Sequence, residues 1–180
     1  NTNENPYPPS PKVVAAVQAV LENSADILRL YPDPDATELK QAIAKQQHVP
    51  VANVFVGNGS DEVLAHIFKA FFVQDKPILY PDITYSFYPV YSQFFGLSTK
   101  TQIIPLNDDF EINIDDYKQP NGGIIITNPN APTSIALGLS AIEEVLQANP
   151  DSVVVIDEAY VDFGAESAVG LVEKYDNLVV

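Results

Sequence analysis

Residues Ser152 to Phe163 read SVVVIDEAYVDF, and no other stretch constrains the fold as much. Val153, Val154, Val155 and Ile156 are all apolar and all β-branched, and the run stops on Asp157 and Glu158. A short continuous apolar run bounded by polar residues reads as a strand buried on both faces, the kind found in parallel sheets. Open α/β sheets bind ligands just outside the carboxyl ends of their strands. Asp157 therefore stands where ligands sit, at the edge of a dry interior. An acid there is unfavourable unless a cation or a hydrogen-bond donor meets it.

The rest of the chain alternates strand and helix signals. Residues 1–11 hold four prolines and read as an extended arm. Val13, Val14, Val17, Val20 and Leu21 give Lys12 to Glu22 a helical stripe. Ile27 to Tyr31 reads as a short extended piece. Asp35 and Glu38 predict a capping box for a helix over Ala36 to Gln47. Val54 to Val56 reads as a strand, followed by a glycine turn and a helix from about Glu62 to Phe72. Further strands are expected at Pro77–Tyr80, Thr101–Leu106, Gly123–Thr127 and Leu178–Val180. Helices are expected from Tyr85 to about Phe95 and from Ser140 to Ala148, the latter capped by Ser140 and Glu143. The predicted class is α/β, with a doubly wound, mostly parallel sheet. Residues 1–25 differ in composition and are expected to contribute to a small domain; 26–180 would form part of a larger one. Val180 falls inside an expected strand, and the first residue is not Met, so the chain reads as a piece of something longer.

Composition removes several function classes. The chain has 180 residues and no cysteine, which excludes disulfides, thiolate catalysis and Cys-based zinc sites. Cysteine-free composition is compatible with a reducing cytoplasm, the expected location. His48 and His66 are far apart and read as surface or helix-face residues, so no metal is expected. A net charge of −15 argues against nucleic acid. No run approaches the roughly 18 apolar residues of a membrane span. Arg29 is the only arginine, so a clamp for small carboxylates or phosphates would lie mostly elsewhere.

Three readings of the site compete. A Walker B strand would fit Val153–Glu158, but it needs a Gly-x-x-x-x-Gly-Lys-Ser/Thr loop, and no Gly here precedes Lys. A dinucleotide site would use Gly57-Asn58-Gly59 with Asp82, but Asp61 and Glu62 stand where a third glycine is wanted. A pyridoxal phosphate site asks for a helix start, an acid for the ring nitrogen, an aromatic face and donors for the 3-hydroxyl. Gly59-Ser60-Asp61, Asp157, Tyr85, and Asn130 with Tyr160 supply these.

The segments Asn5-Pro6-Tyr7-Pro8-Pro9-Ser10, Arg29-Leu30-Tyr31-Pro32-Asp33, Gly57 to Glu62, Pro81 to Tyr85, Asn128 to Thr133 and Asp157-Glu158-Ala159-Tyr160 occur in an order that resembles histidinol-phosphate aminotransferases. The resemblance runs the whole length of the chain. It implies the fold-type I architecture of pyridoxal-phosphate-dependent transferases and a homodimer. It also implies amino-group transfer between L-histidinol phosphate and 2-oxoglutarate in histidine biosynthesis.

By position it implies that Asp157 pairs with the pyridinium nitrogen and that Tyr160 and Asn130 bond the 3-hydroxyl. Tyr85 would stack on the ring, and the backbone at Ser60 and Asp61 would hold the phosphate. Tyr31 would reach the phosphate of the other subunit, while Asn5 and Tyr7 would help close over the substrate. Asn130 is assigned because Ala131 stands directly before Pro132, where many relatives carry Asn; Ser134 stands where they carry Gly.

The family's Schiff-base lysine lies roughly 30 residues after that acid, about seven past Val180. None of the eight lysines here sits in a matching motif, so these 180 residues are expected to be inactive alone. Alternatives are a related enzyme, such as a threonine-phosphate decarboxylase or an aromatic aminotransferase, and a non-catalytic cofactor-binding fragment. Plainer readings also stand beside these: Phe87 and Tyr88 as core aromatics, Ser60 as a helix cap, and Asp157 as a cap for its own turn.

Overall fold

In the computed structural model, which describes residues 4–180, the buried run ending at Asp157 is the fourth of five parallel strands. Residues 1–3 of the expected arm lie outside the described residues. The strands are β1 (Ile78–Pro81), β2 (Thr101–Ile104), β3 (Gly123–Thr127), β4 (Val154–Asp157) and β5 (Leu178–Val179). Their order is β2-β1-β3-β4-β5, and every pairing is parallel. The helices are α1 (Pro11–Ser24), α2 (Thr37–Gln47), α3 (Ser60–Ile67), α4 (Tyr88–Phe94) and α5 (Leu139–Ala148). The chain divides into two units, one ending at Leu39 and one running from Lys40 to Val180.

The sheet of the second unit is dry on both faces because successive side chains point opposite ways. Leu79, Ile124, Ile126, Val154 and Ile156 meet Ile142, Val145 and Leu146 of α5. Ile78, Tyr80, Ile125 and Val155 meet Leu64, Ile67, Phe68, Phe72, Tyr88 and Tyr91 on the other face. All nine residues of β1 and β3 are buried, which is why these runs are continuously apolar and show no alternation. Full burial of each such aliphatic side chain contributes about 1.5–3 kcal/mol. The Phe68–Phe72 segment continues α3 as one π-helical turn, with both phenylalanines at 0% exposure.

In the first unit, α1 forms where the helical stripe predicts it. Ser10 caps it, its Oγ accepting from the Val13 N–H at 3.4 Å. Its apolar residues Val13, Val14, Val17, Val20 and Leu21 remain 45–56% exposed.

Four local expectations are corrected. Ile27 to Tyr31 is not an extended piece: the helical direction persists as a 3-10 turn over Ala25–Arg29, and only then does Leu30 extend. Asp35 does not cap α2. Asp33 does, its Oδ2 accepting from the Thr37 N–H at 2.8 Å, because Ala36 takes a positive φ of 48° and turns the chain back over Asp33. Val54 has strand-like dihedrals but joins no ladder, since no strand of the described sheet lies beside it. Ser140 and Glu143 form no capping box: α5 starts one residue earlier, Gly138 stands at its cap, and Glu143 bonds Lys174 and Tyr175.

Tyr117 is 1% exposed, and its hydroxyl has no hydrogen-bond partner among the described residues. Burial pushes its phenol above the ordinary tyrosine range, with Asp116 and Asp82 adding to the shift. Replacing Tyr117 by Phe keeps the ring and removes the desolvated hydroxyl. The expected gain is about 1 kcal/mol, a rise of about 2 °C in the unfolding midpoint of the complete protein by calorimetry. A fall in the midpoint would mean that the hydroxyl has a partner.

Candidate functional site

The connection from β1 leads through α4 to β2 on one side, and the chain then crosses back to place β3 on the other side of β1. The carboxyl ends of β1 and β3 therefore flank a topological switch point, the place where open α/β sheets form a ligand crevice. Three segments gather there: the turn after β1 that carries Tyr85, the proline loop after β3, and Asp157 at the end of β4.

Asp157 is held by backbone and side chain together. It pairs in register with Thr127, and its carbonyl accepts from the Asn128 N–H at 2.8 Å. Its half-buried carboxylate has two donors. The Ala159 N–H bonds Oδ1 at 3.2 Å, the local cap that the plainer reading expected. The Tyr88 hydroxyl bonds Oδ2 at 2.8 Å. Two bonds leave a carboxylate about half of its acceptor sites. Tyr88 itself is fully buried; burial first, then Asp157, drives its phenol well above the usual range. The sequence marked Tyr88 only as a core aromatic. It is that, and it also touches the site acid. Phe87, the other expected core aromatic, is 40% exposed.

The glycine turn builds a helix start. Gly59 caps α3 with φ 82°, a left-handed conformation that glycine adopts without a Cβ penalty, and nothing would lie within 4 Å of a Cβ there. Ser60 is the first helical residue, so it is not the side-chain cap. The first N–H groups of a helix have no partner within it, and the dipole favours an anion there. The two acids beside this start are turned to local tasks. Glu62 accepts from the Asn58 N–H at 2.5 Å, and Asp61 Oδ1 accepts from the Tyr85 hydroxyl at 2.8 Å. Tyr91 donates its hydroxyl to the Asp61 carbonyl at 2.8 Å. Desolvation first, then Asp61, raises the Tyr85 phenol, and the same causes push Tyr91 up to about 12.

Asn130 is 2% exposed and turned into the protein. Its amide donates to the Ile83 carbonyl at 2.9 Å and to Thr133 Oγ1 at 3.2 Å, and its Oδ1 accepts from Thr127 Oγ1 at 2.7 Å. Thr127 Oγ1 also lies 3.1 Å from Thr84 Oγ1. Asn130 thus ties the proline loop to the turn that carries Tyr85. Ser134 has φ 63°, which explains in backbone terms why a Gly suits that position.

After β4, Glu158 folds its own loop back. Oε2 accepts from Ser167 Oγ and Oε1 from the Ala168 N–H, both at 2.6 Å. Tyr160 is half-buried in this loop, its ring 6.4 Å from that of Phe163. Asn5, Tyr7 and Tyr31 belong to the first unit. There Asn5 Oδ1 accepts from the Tyr7 N–H at 3.0 Å, and Tyr7 and Tyr31 are 79% and 99% exposed.

Asp157, Tyr85, Asp61 and Asn130 are thus brought together within the second unit. The arrangement offers a fixed acid for a cationic ring nitrogen, an aromatic ring beside it, and a helix start for an anion. Among the described residues, no group of three or more His, Asp or Glu side chains is gathered as a metal site. The lysines of the ion pairs found there, Lys100, Lys118 and Lys174, meet neither Asp61 nor Asp157. No helix of the described residues is long and apolar enough to cross a membrane.

Residues 1–180 match the family described as aminotransferase class I and II. A histidinol-phosphate aminotransferase of Acinetobacter baumannii (strain ATCC 17978) is 81% identical over 180 residues, all of this chain and 49% of that protein. One from Acinetobacter baylyi is 78% identical over the same extent. The chain spans about half the length of the curated relatives it matches. The crystal structure of a histidinol-phosphate aminotransferase from Sinorhizobium meliloti, in complex with pyridoxal 5'-phosphate, superposes with a TM-score of 0.79. It is 22% identical, with 94% of this chain and 47% of that one covered. That likeness shows a shared fold over the covered part of each chain.

Desolvation raises the Glu158 carboxyl above its ordinary value, while Ser167 and Ala168 pull it down. A raised folded-state value stabilises the protein below the unfolded value, and that contribution is lost as pH rises through the folded one. Glu158→Gln can keep the Ala168 N–H bond on Oε1 and donate from Nε2 to Ser167 Oγ, reversing that bond, without the charge. Its stability advantage over wild type is expected to grow as pH rises through the unfolded value and to level off once pH is above the raised folded one, read by urea denaturation across pH. Glu158→Ala, which leaves the Ser167 and Ala168 donors unmet, should cost about 1–3 kcal/mol at pH 7.

Proposed function

Because the chain belongs to the class I and II aminotransferase family, we propose that the complete protein is a pyridoxal-phosphate-dependent aminotransferase of the histidinol-phosphate type. It would move an amino group between L-histidinol phosphate and 2-oxoglutarate, in histidine biosynthesis. One observation carries this reading: an acid fixed at the end of a buried strand shares one crevice with an aromatic ring and an open helix start. The relatives at 81% and 78% identity, named for this activity, support the choice of substrate. The S. meliloti structure holds pyridoxal 5'-phosphate on the same fold, which supports the choice of cofactor.

The residues present fit that group. Gly59 leaves its cap open for an anion, and the N–H groups at Ser60 and Asp61 would receive the phosphate. Asp157 retains acceptor capacity for a protonated ring nitrogen and would keep it charged. Tyr85 would present its ring to the cofactor while its hydroxyl stays on Asp61. Tyr160 would donate to the 3-hydroxyl. Asn130 is proposed for the same contact; reaching it means exchanging its bond to Ile83 or Thr133. When bound, the cofactor supplies an electron-poor ring that takes up negative charge from the substrate carbon.

A lysine outside these 180 residues would hold the cofactor and carry the proton. We place residues 1–25 with a small domain and 26–180 with the cofactor-binding one. In a cytoplasmic homodimer, Tyr31 would serve the other subunit's phosphate, and Asn5 and Tyr7 would close over the substrate.

The test uses the complete protein loaded with pyridoxal phosphate. Glutamate formation from L-histidinol phosphate and 2-oxoglutarate is the expected result, with a borohydride-stable cofactor adduct on one lysine seen by intact mass. Glutamate formation absent from loaded protein would remove the substrate assignment; absence of any adduct would remove the cofactor as well. Asp157→Asn should lower turnover at least about a hundredfold while leaving the unfolding midpoint within a few degrees.

A further inference from the structure

Three tyrosines of one segment, Tyr85, Tyr88 and Tyr91, are spaced three residues apart and use their hydroxyls on two different elements, the start of α3 and the end of β4. Tyr85 and Tyr91 bond the side chain and carbonyl of Asp61 at the start of α3. Tyr88 alone reaches across to β4, where its hydroxyl donates to Asp157 Oδ2 at 2.8 Å. Its ring has little freedom. It lies 5.6 Å from Tyr85 at 85°, 5.9 Å from Tyr80 and 6.2 Å from Phe68, at 0% exposure. Packing therefore decides where the hydroxyl points, and the hydroxyl, together with the Ala159 N–H, decides how the carboxylate is turned. The fold does not demand a partner for every buried phenol, since the Tyr117 hydroxyl goes without one among the described residues.

We propose that Tyr88 is a positioning residue for Asp157: through its hydroxyl it orients the carboxylate toward the place where a protonated ring nitrogen would sit. This rests on the cofactor reading above. An opposite charge aimed at a ring nitrogen favours its protonated form, so a carboxylate turned away would let that proton go. The other ionisable groups facing this pair are Tyr85, Tyr91 and, through them, Asp61.

The test compares wild type, Tyr88→Phe and Tyr117→Phe in the complete protein, loaded with pyridoxal phosphate labelled with 15N in its ring. Tyr88→Phe should move the ring-nitrogen resonance toward the unprotonated pyridine position and weaken cofactor binding about tenfold. Tyr117→Phe, which also removes a buried hydroxyl, should do neither. A Tyr88→Phe protein with the wild-type resonance and affinity would overturn the proposal and leave Tyr88 as packing alone. Should that variant fail to fold, wild type labelled at tyrosine Cζ gives the same decision: the Tyr88 signal must shift on cofactor loading, and an unmoved signal overturns the role.

Asp157→Asn in cofactor-free protein separates the two levels of argument. It should move the Tyr88 Cζ signal whatever the cofactor reading. If it does so while wild type takes up no cofactor, the function proposed above falls, and this role with it, but the bond stands. If the Tyr88 signal does not move, the positioning role falls alone.

Discussion

An acid at the end of a buried strand has to be met by donors, and the neighbourhood of Asp157 is arranged around that requirement. The strand is apolar because both of its faces are covered, by α5 on one side and by α3, its π-helical continuation and the α4 tyrosines on the other. Its register on β3 places Asp157 beside Thr127, and the chain leaves both strands into the crevice at the same level. The carboxylate then receives one local donor from Ala159 and one distant donor from Tyr88. The distant one links the sheet to the helix layer above it. The same contact that satisfies a buried group fixes the orientation of a chemically useful one.

The aromatic segment after β1 works as a brace between two charged positions. Tyr85 and Tyr91 hold the beginning of α3, and Tyr88 holds the end of β4. The Tyr88 and Tyr91 rings are also part of the core on that face of the sheet, with Phe68 contacting both, and Tyr85 packs against it. Aromatic side chains suit this work because few rotatable bonds separate a packed ring from a polar tip. The proline loop adds a second brace. Asn130 joins β3 to the backbone of Ile83, just ahead of Tyr85. The site floor is thereby tied to the sheet at two places, the ends of β3 and β4.

Much of this was legible in the sequence, and the failures are physically consistent. Gly123 to Thr127 and the run ending at Asp157 were readable because burial on both faces forces continuous apolar sequence. The glycine turn was readable because Gly59 needs a positive φ. Capping was read less well. Asp33 and Asp35 differ by two residues and both can cap; the positive φ at Ala36 decides between them, and composition does not encode it. Val54 to Val56 has strand composition, but a strand exists only where a neighbour supplies the ladder. Tyr88 was read as core because apolar periodicity reports which way a ring points. It is silent on what the hydroxyl meets 69 residues further along the chain.

That last gap has a general consequence for sites of this kind. The residues that stand out in a motif are those whose chemistry is unusual for their position, such as an acid ending a buried strand. The residues that make the chemistry workable can look ordinary, because they satisfy packing first. Glu158 shows the converse. It follows the acid directly, carries the same charge, and lies in the same motif. Yet both its oxygens are spent on Ser167 and Ala168, closing the loop that follows β4. Adjacent carboxylates thus divide between site and scaffold according to their donors: a buried tyrosine from across the sheet for one, a loop serine and its neighbouring backbone for the other.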